Sequence, residues 1–138
     1  MMHIDVSGTP DFKFKAKAGN GYSFDIGASK SIGGDESGFR PMELILAGIA
    51  SCSGIDVVNI LKKSRVEFTS MDVSVDGERK DAVLAPFTKI QVTFKIHGPG
   101  IDRTKAEKAV ALSLEKYCSV VASLDPTITV TGVTVLDS

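Results

Sequence analysis

Residues 40–65, RPMELILAGIASCSGIDVVNILKKSR, decide how the rest of the chain has to be arranged. Pro41 stands where a helix tolerates proline, in the first turn, because the N–H it lacks would have had no partner there. From Met42 to Leu61 no further proline interrupts, and apolar or small residues dominate. The few polar side chains, Glu43, Ser51, Ser53, Asp56 and Asn59, scatter round the axis at about 100° per residue instead of sharing a face. This predicts a long central helix buried on most sides. Its middle, AGIASCSG, is built of small residues, and Gly48 and Gly54 each cost a helix roughly 1 kcal/mol relative to Ala. Close approach of another backbone is the usual compensation. Cys52, one of only two cysteines, sits in that small-residue centre. A membrane span is the rival reading by length. Glu43 and Asp56 fall inside the run, however, and a charge at membrane depth costs at least a few kcal/mol. A soluble helix is expected.

Upstream, the pattern has a period of two. Met2, Ile4 and Val6 alternate with polar neighbours, and Phe12, Phe14 and Ala16 alternate with lysines. Asn20-Gly21 then turns the chain into Tyr22, Phe24 and Ile26, a strong hairpin signal. Residues 29–40 are rich in Gly, Ser and charge and read as a connecting loop; no Lys-Ser/Thr follows Gly33-Gly34, so no phosphate cradle is indicated.

Downstream the two-residue period returns. Phe68, Met71, Val73 and Val75 mark one strand, and Phe87 to Ile96 another, the two forming a hairpin. Asp102 and Thr104 offer capping oxygens, with Glu107 placed for a capping box. Ala106, Ala109, Val110, Leu114 and Tyr117 recur at helical spacing. That helix is expected to run through Cys118 to about Leu124 with a bend near Ser119. Ile128, Val130, Val133 and Val135 make a last strand. The predicted class is α+β: a mainly antiparallel sheet, a long buried central helix and a second helix, in one domain over residues 1–138. A helix apolar nearly all round needs more cover than one sheet face supplies, which points to a partner subunit across a two-fold axis.

Composition narrows the function. The net charge is -1, no basic run extends beyond Lys62-Lys63, and there is no Trp, so a nucleic-acid partner is not expected. The N-terminus MMHIDVSGTPD lacks the blocks of a signal peptide, giving an expectation of the cytoplasm and no membrane. There, two cysteines are expected to be thiols or a transient redox pair.

Metal binding finds no support in spacing, since His3 and His97 lie far apart and the cysteines form no CxxC. No cofactor is implied, and His97 reads as a surface residue. No G-x-S-x-G follows a strand, so a serine nucleophile is not indicated. The cysteines remain. Either alone is most simply a small core hydrophobe. Together, Cys52 among Ser51, Ser53 and Gly54, and Cys118 after Tyr117, sit on the two helices best placed to pack together. Two such thiols could reduce a peroxide, one becoming a sulfenic acid and the other resolving it. A reactive thiol needs a nearby cation or helix N-terminus. Arg40 lies twelve residues before Cys52, about 18 Å along a helix, so only an antiparallel partner helix would bring it near.

The run PMELILAGIASC52, followed by Ile55-Asp-Val-Val and Leu61-Lys-Lys, resembles the central helix of the OsmC/Ohr family. Glu115-Lys-Tyr-Cys118-Ser-Val resembles its second cysteine segment. The likeness is nearer to a branch with these PMEL and EKYCSV signatures than to the well-studied peroxidases. It implies an intertwined homodimer and thiol-dependent reduction of small organic hydroperoxides, with electrons in part of the family from a dithiol such as lipoamide. Cys52 would be the peroxidatic thiol and Cys118 the resolving one. In the family's peroxidases a Glu directly after the proline and an Arg in the N-terminal hairpin activate the thiolate. Here Met42 follows Pro41, and the nearest candidates are Glu43 and Arg40. The alternative is a non-catalytic homodimer that binds a small apolar or thiol ligand in the same interface pocket.

Overall fold

Alternation near the N-terminus becomes a three-stranded antiparallel sheet, β1 (Ile4–Gly8), β2 (Phe14–Ala18) and β3 (Ser23–Ile26). The register sets Val6 against Ala16 and Ala16 against Phe24, so the apolar residues share one face and Lys15, Lys17 and Asp25 the other. Gly21 supplies the left-handed φ of +92° that the turn into β3 requires. The loop after β3 is more than a connector. It makes a 3-10 turn at Lys30–Ile32 and is tied back by Gly27 N–H to the Phe39 carbonyl and Phe39 N–H to the Asp25 carbonyl. Gly27 has to be glycine, because a Cβ there would run into the Ser37 carbonyl.

The computed structural model describes residues 1–138, which divide into two compact units, Met1–Ile45 and Leu46–Ser138. The central helix α1 (Pro41–Lys63) begins in the first and continues through the second. The second unit adds β4 (Ser70–Arg79), β5 (Phe87–His97), α2 (Arg103–Leu112), a π-helical turn (Ser113–Tyr117), α3 (Ser119–Ala122) and β6 (Thr129–Asp137). β4 and β5 pair antiparallel, as the hairpin pattern predicts, whereas β6 pairs with β5 in parallel. A parallel neighbour needs a crossover, and the α2–α3 segment provides it. Three of the four strand pairings are antiparallel, and the class is α+β with helices on one face of the second sheet.

β5 is the spine of the core. Ile90, Val92, Phe94 and Ile96 are all within 1% of full burial, and Ile49, Val57 and Leu61 of α1 and Ala106, Ala109 and Val110 of α2 are buried as well. Gly132 of β6 lets α2 lie close, since a Cβ there would crowd Leu114 and Val110 at 2.7 and 2.8 Å. α1 keeps the length and apolar composition of a membrane span, yet Ile49, Ser53, Gly54, Val57 and Leu61 are buried in protein. The other apolar positions of α1, Leu44, Ile45, Leu46, Val58 and Ile60 among them, are only partly covered by the chain itself. Ile55, on another side, is 69% exposed. The turn after α1 closes at Arg65, a non-glycine residue at φ +57°, where Val66 N–H reaches the Leu61 carbonyl at 2.9 Å.

The second helix departs from expectation in two ways. Asp102, not Thr104, is its N-cap, accepting the Lys105 N–H at 3.1 Å, and Glu107 pairs with Arg103 instead of closing a capping box. The break falls at Cys118, whose backbone is extended at φ -71°, ψ 105°, one residue before the expected bend at Ser119. His97 is also more than a surface residue. It is partly buried and held between Asp72 (2.7 Å) and Asp137 (3.0 Å), bridging the three strands of the second sheet.

Candidate active site

Cys52 sits in mid-α1 among small residues and is partly exposed. Ser51 and Ser53 do not compete for that space. Their hydroxyls turn back to the Ala47 and Ile49 carbonyls at 2.8 and 2.6 Å. Cys118 reaches the same place by a different route. The α-helix widens into a π turn from Ser113, closed by Cys118 N–H on the Ser113 carbonyl at 2.7 Å, and the chain then straightens for one residue. Single π turns of this kind are frequent at functional sites because they re-aim one side chain.

The result is a cluster. The sulfurs of Cys52 and Cys118 and a carboxylate oxygen of Asp56 all lie within 4.8 Å of one another. Both cysteines are free thiols. Cys52 and Asp56 are partly exposed, whereas Cys118 is only 3% exposed. Burial pushes the Cys118 thiol above its ordinary value, and the neighbouring Cys52 pushes the same way; the N–H groups of Val121 and Val120 pull against them without prevailing. Cys118 is therefore enclosed and protonated, and Cys52 is the thiol that a solute can meet.

Asp56 and Ser113 escaped the sequence reading. Ser113 is fully buried, and its hydroxyl lies 3.1 Å from Asp56 Oδ2 and 3.2 Å from the Ser53 carbonyl, donating its one proton to either. It fixes the carboxylate beside the thiols. Asp56 was available as a signal, since it follows Cys52 by one helical turn and so shares its face. Ser113 carried none.

Arg40 and Glu43 form a unit of their own at the head of α1. The Arg40 N–H donates to Glu43 Oε1 at 2.9 Å and its Nε lies 3.4 Å from the same oxygen. The backbone bond first, then the guanidinium, holds the Glu43 carboxyl below the usual range. This is the returning half of a capping box, with Arg40 at the N-cap and Glu43 at the third helical position. Along α1, Glu43 precedes Cys52 by more than two turns, about 14 Å of helical rise.

Residues 33–132 match the family described as OsmC-like protein. Protein YhfA of Escherichia coli K12 is 37% identical over 91 residues, covering 66% of this chain and 68% of YhfA. Among solved structures, a hypothetical protein from Aquifex aeolicus VF5 superposes with a TM-score of 0.83 at 28% identity, covering 100% of this chain and 98% of the other. The organic hydroperoxide resistance protein OhrB of Bacillus subtilis shares the fold, with a TM-score of 0.66, 21% identity and 97% of each chain covered.

Proposed function

Since the chain belongs to the OsmC-like protein family, we propose that it is a cytoplasmic thiol peroxidase that reduces small organic hydroperoxides as a homodimer. The observation that carries this reading is the pairing of one accessible and one enclosed thiol, delivered by two separate segments to within 4.8 Å. The kinship of fold with an organic hydroperoxide resistance protein supports the choice of substrate class. In the proposed cycle Cys52, as thiolate, attacks one oxygen of the peroxide. The O–O bond breaks, the other oxygen leaves as an alcohol with a proton from solvent, and Cys52 becomes a sulfenic acid. The Cys118 sulfur then loses its proton and attacks the Cys52 sulfur, water departs, and a disulfide remains. A dithiol reduces that disulfide through a mixed disulfide and restores both thiols.

The dimer accounts for apolar surface that each unit leaves open. In Met1–Ile45 these are Ile4, Val6, Phe14 and Phe24 on one sheet face, and in Leu46–Ser138 they include Ile55 and Tyr117. Two α1 helices running antiparallel across a two-fold would also set the Arg40–Glu43 head of one beside the Cys52 of the other, supplying the cation that a thiolate needs.

The test is a single turnover. Fully reduced protein receives one equivalent of an organic hydroperoxide, and intact mass and free thiols are read within seconds. Loss of both thiols with a mass lower by about two protons is expected. Cys52→Ser should abolish turnover, and Cys118→Ser should stop at a sulfenic acid after one equivalent. Two free thiols with the peroxide unconsumed would overturn the peroxidase and leave the family fold with a ligand-binding role.

A further inference from the structure

The cluster at the junction of α1 and the π turn holds three potential anions and no cation from its own chain. None of the chain's salt bridges involves Asp56, and the arginine nearest in sequence before it is engaged with Glu43. Two soft sulfur donors and one hard oxygen donor converge from two elements, all within 4.8 Å. In a tetrahedral zinc site, with Zn–S near 2.3 Å and Zn–O near 2.0–2.2 Å, donor atoms stand roughly 3.5–3.8 Å apart. The distance left to close is about 1 Å, within the reach of small side-chain rotations. The carboxylate is moreover already oriented. Its Oδ2 faces the hydroxyl of the fully buried Ser113, and an outer hydrogen bond of this kind fixes first-layer ligands at metal centres.

We infer that Cys52, Asp56 and Cys118 form a binding site for a thiophilic divalent cation of the zinc class. Three protein donors with the fourth position toward solvent is the open arrangement of zinc, and thiolates select such ions over magnesium or calcium. The dication supplies positive charge that the cluster's own chain does not provide, and it displaces the thiol protons as it binds. Two donors one helical turn apart, Cys52 and Asp56, form the rigid half of the site. Cys118, carried by the break after the π turn, closes it. Spacing rules miss this site because the third ligand comes from another element.

The experiment needs no peroxide, so it stands apart from the peroxidase reading. Reduced, metal-free protein is titrated with Co²⁺ under anaerobic conditions and then with Zn²⁺ against a chromogenic chelator. One ion per chain and a thiolate-to-cobalt charge-transfer band in the near ultraviolet are expected. Asp56→Asn, which keeps the side-chain shape, should weaken Zn²⁺ binding at least tenfold, and Cys52→Ala, at a partly exposed position, should remove the band's full intensity. No binding, or binding without the charge-transfer band, would overturn the site. So would an Asp56→Asn protein that holds Zn²⁺ as tightly as the parent.

Discussion

His97 shows how a single side chain is given its role by strands distant in sequence. Its two ring nitrogens lie against Asp72 of β4 and Asp137 of β6. The Asp72 hydrogen bond is the largest influence and Asp137 adds to it, together raising the imidazole above its ordinary value despite partial burial. Because the folded value is the higher one, the stabilisation is complete below the unfolded value of about 6.5 and fades as pH rises through the raised one. The urea midpoint of the parent should therefore exceed that of His97→Gln by more at pH 6 than at pH 9. An equal gap at both would mean that His97 carries no charge in the fold. At the thiols, the same kind of reasoning sorts the two cysteines. Cys118 is enclosed and its proton held, and the partly exposed Cys52 is left to meet a solute, which is why the substitutions at Cys52 and Cys118 are expected to fail at different steps.

At the scale of elements, helix ends carry costs that the chain accepts. Just past the end of α1, Arg65 stands in the left-handed region, where a side chain costs roughly 1–2 kcal/mol and glycine almost nothing. Arg65→Gly should raise stability by about 0.5–1 kcal/mol, read from denaturant midpoints at unchanged slope. α2 starts with a working cap. Asp102→Ala removes the acceptor for the Lys105 N–H and should cost about 1 kcal/mol. The π turn that follows has no such simple repair, because it is the device that turns Cys118 toward α1.

At the scale of the whole molecule, the small residues of α1 discriminate between one chain and two. Within the chain, a Cβ on Gly48 would stand 3.6 Å from Val120, and one on Gly54 would stand 3.6 Å from Val73, both ordinary contacts. The chain's own packing does not demand either glycine. In an isolated chain, Gly48→Ala would add roughly 1 kcal/mol of helix stability. If two α1 helices cross at these residues, the added methyl groups hold them apart. The expected result is that Gly48→Ala raises the fraction of monomer in sedimentation while leaving the helix content unchanged. A dimer of undiminished affinity would remove the glycines from the interface.

The sequence by itself determined the elements and their class. Period-two stretches became β1 to β6, the uninterrupted apolar run became α1, and Asn20-Gly21 became the turn it encodes, because these are local preferences written into side-chain order. It also determined the family, through two cysteine segments whose neighbours are distinctive. Only the tertiary structure decided the parallel placement of β6, the clamp on His97, the widening of the helix before Cys118 and the meeting of Asp56 and Ser113 with the two thiols. Each of these depends on residues tens of positions apart being packed together, and burial and hydrogen bonding across that distance leave no period in the chain for a reader to follow.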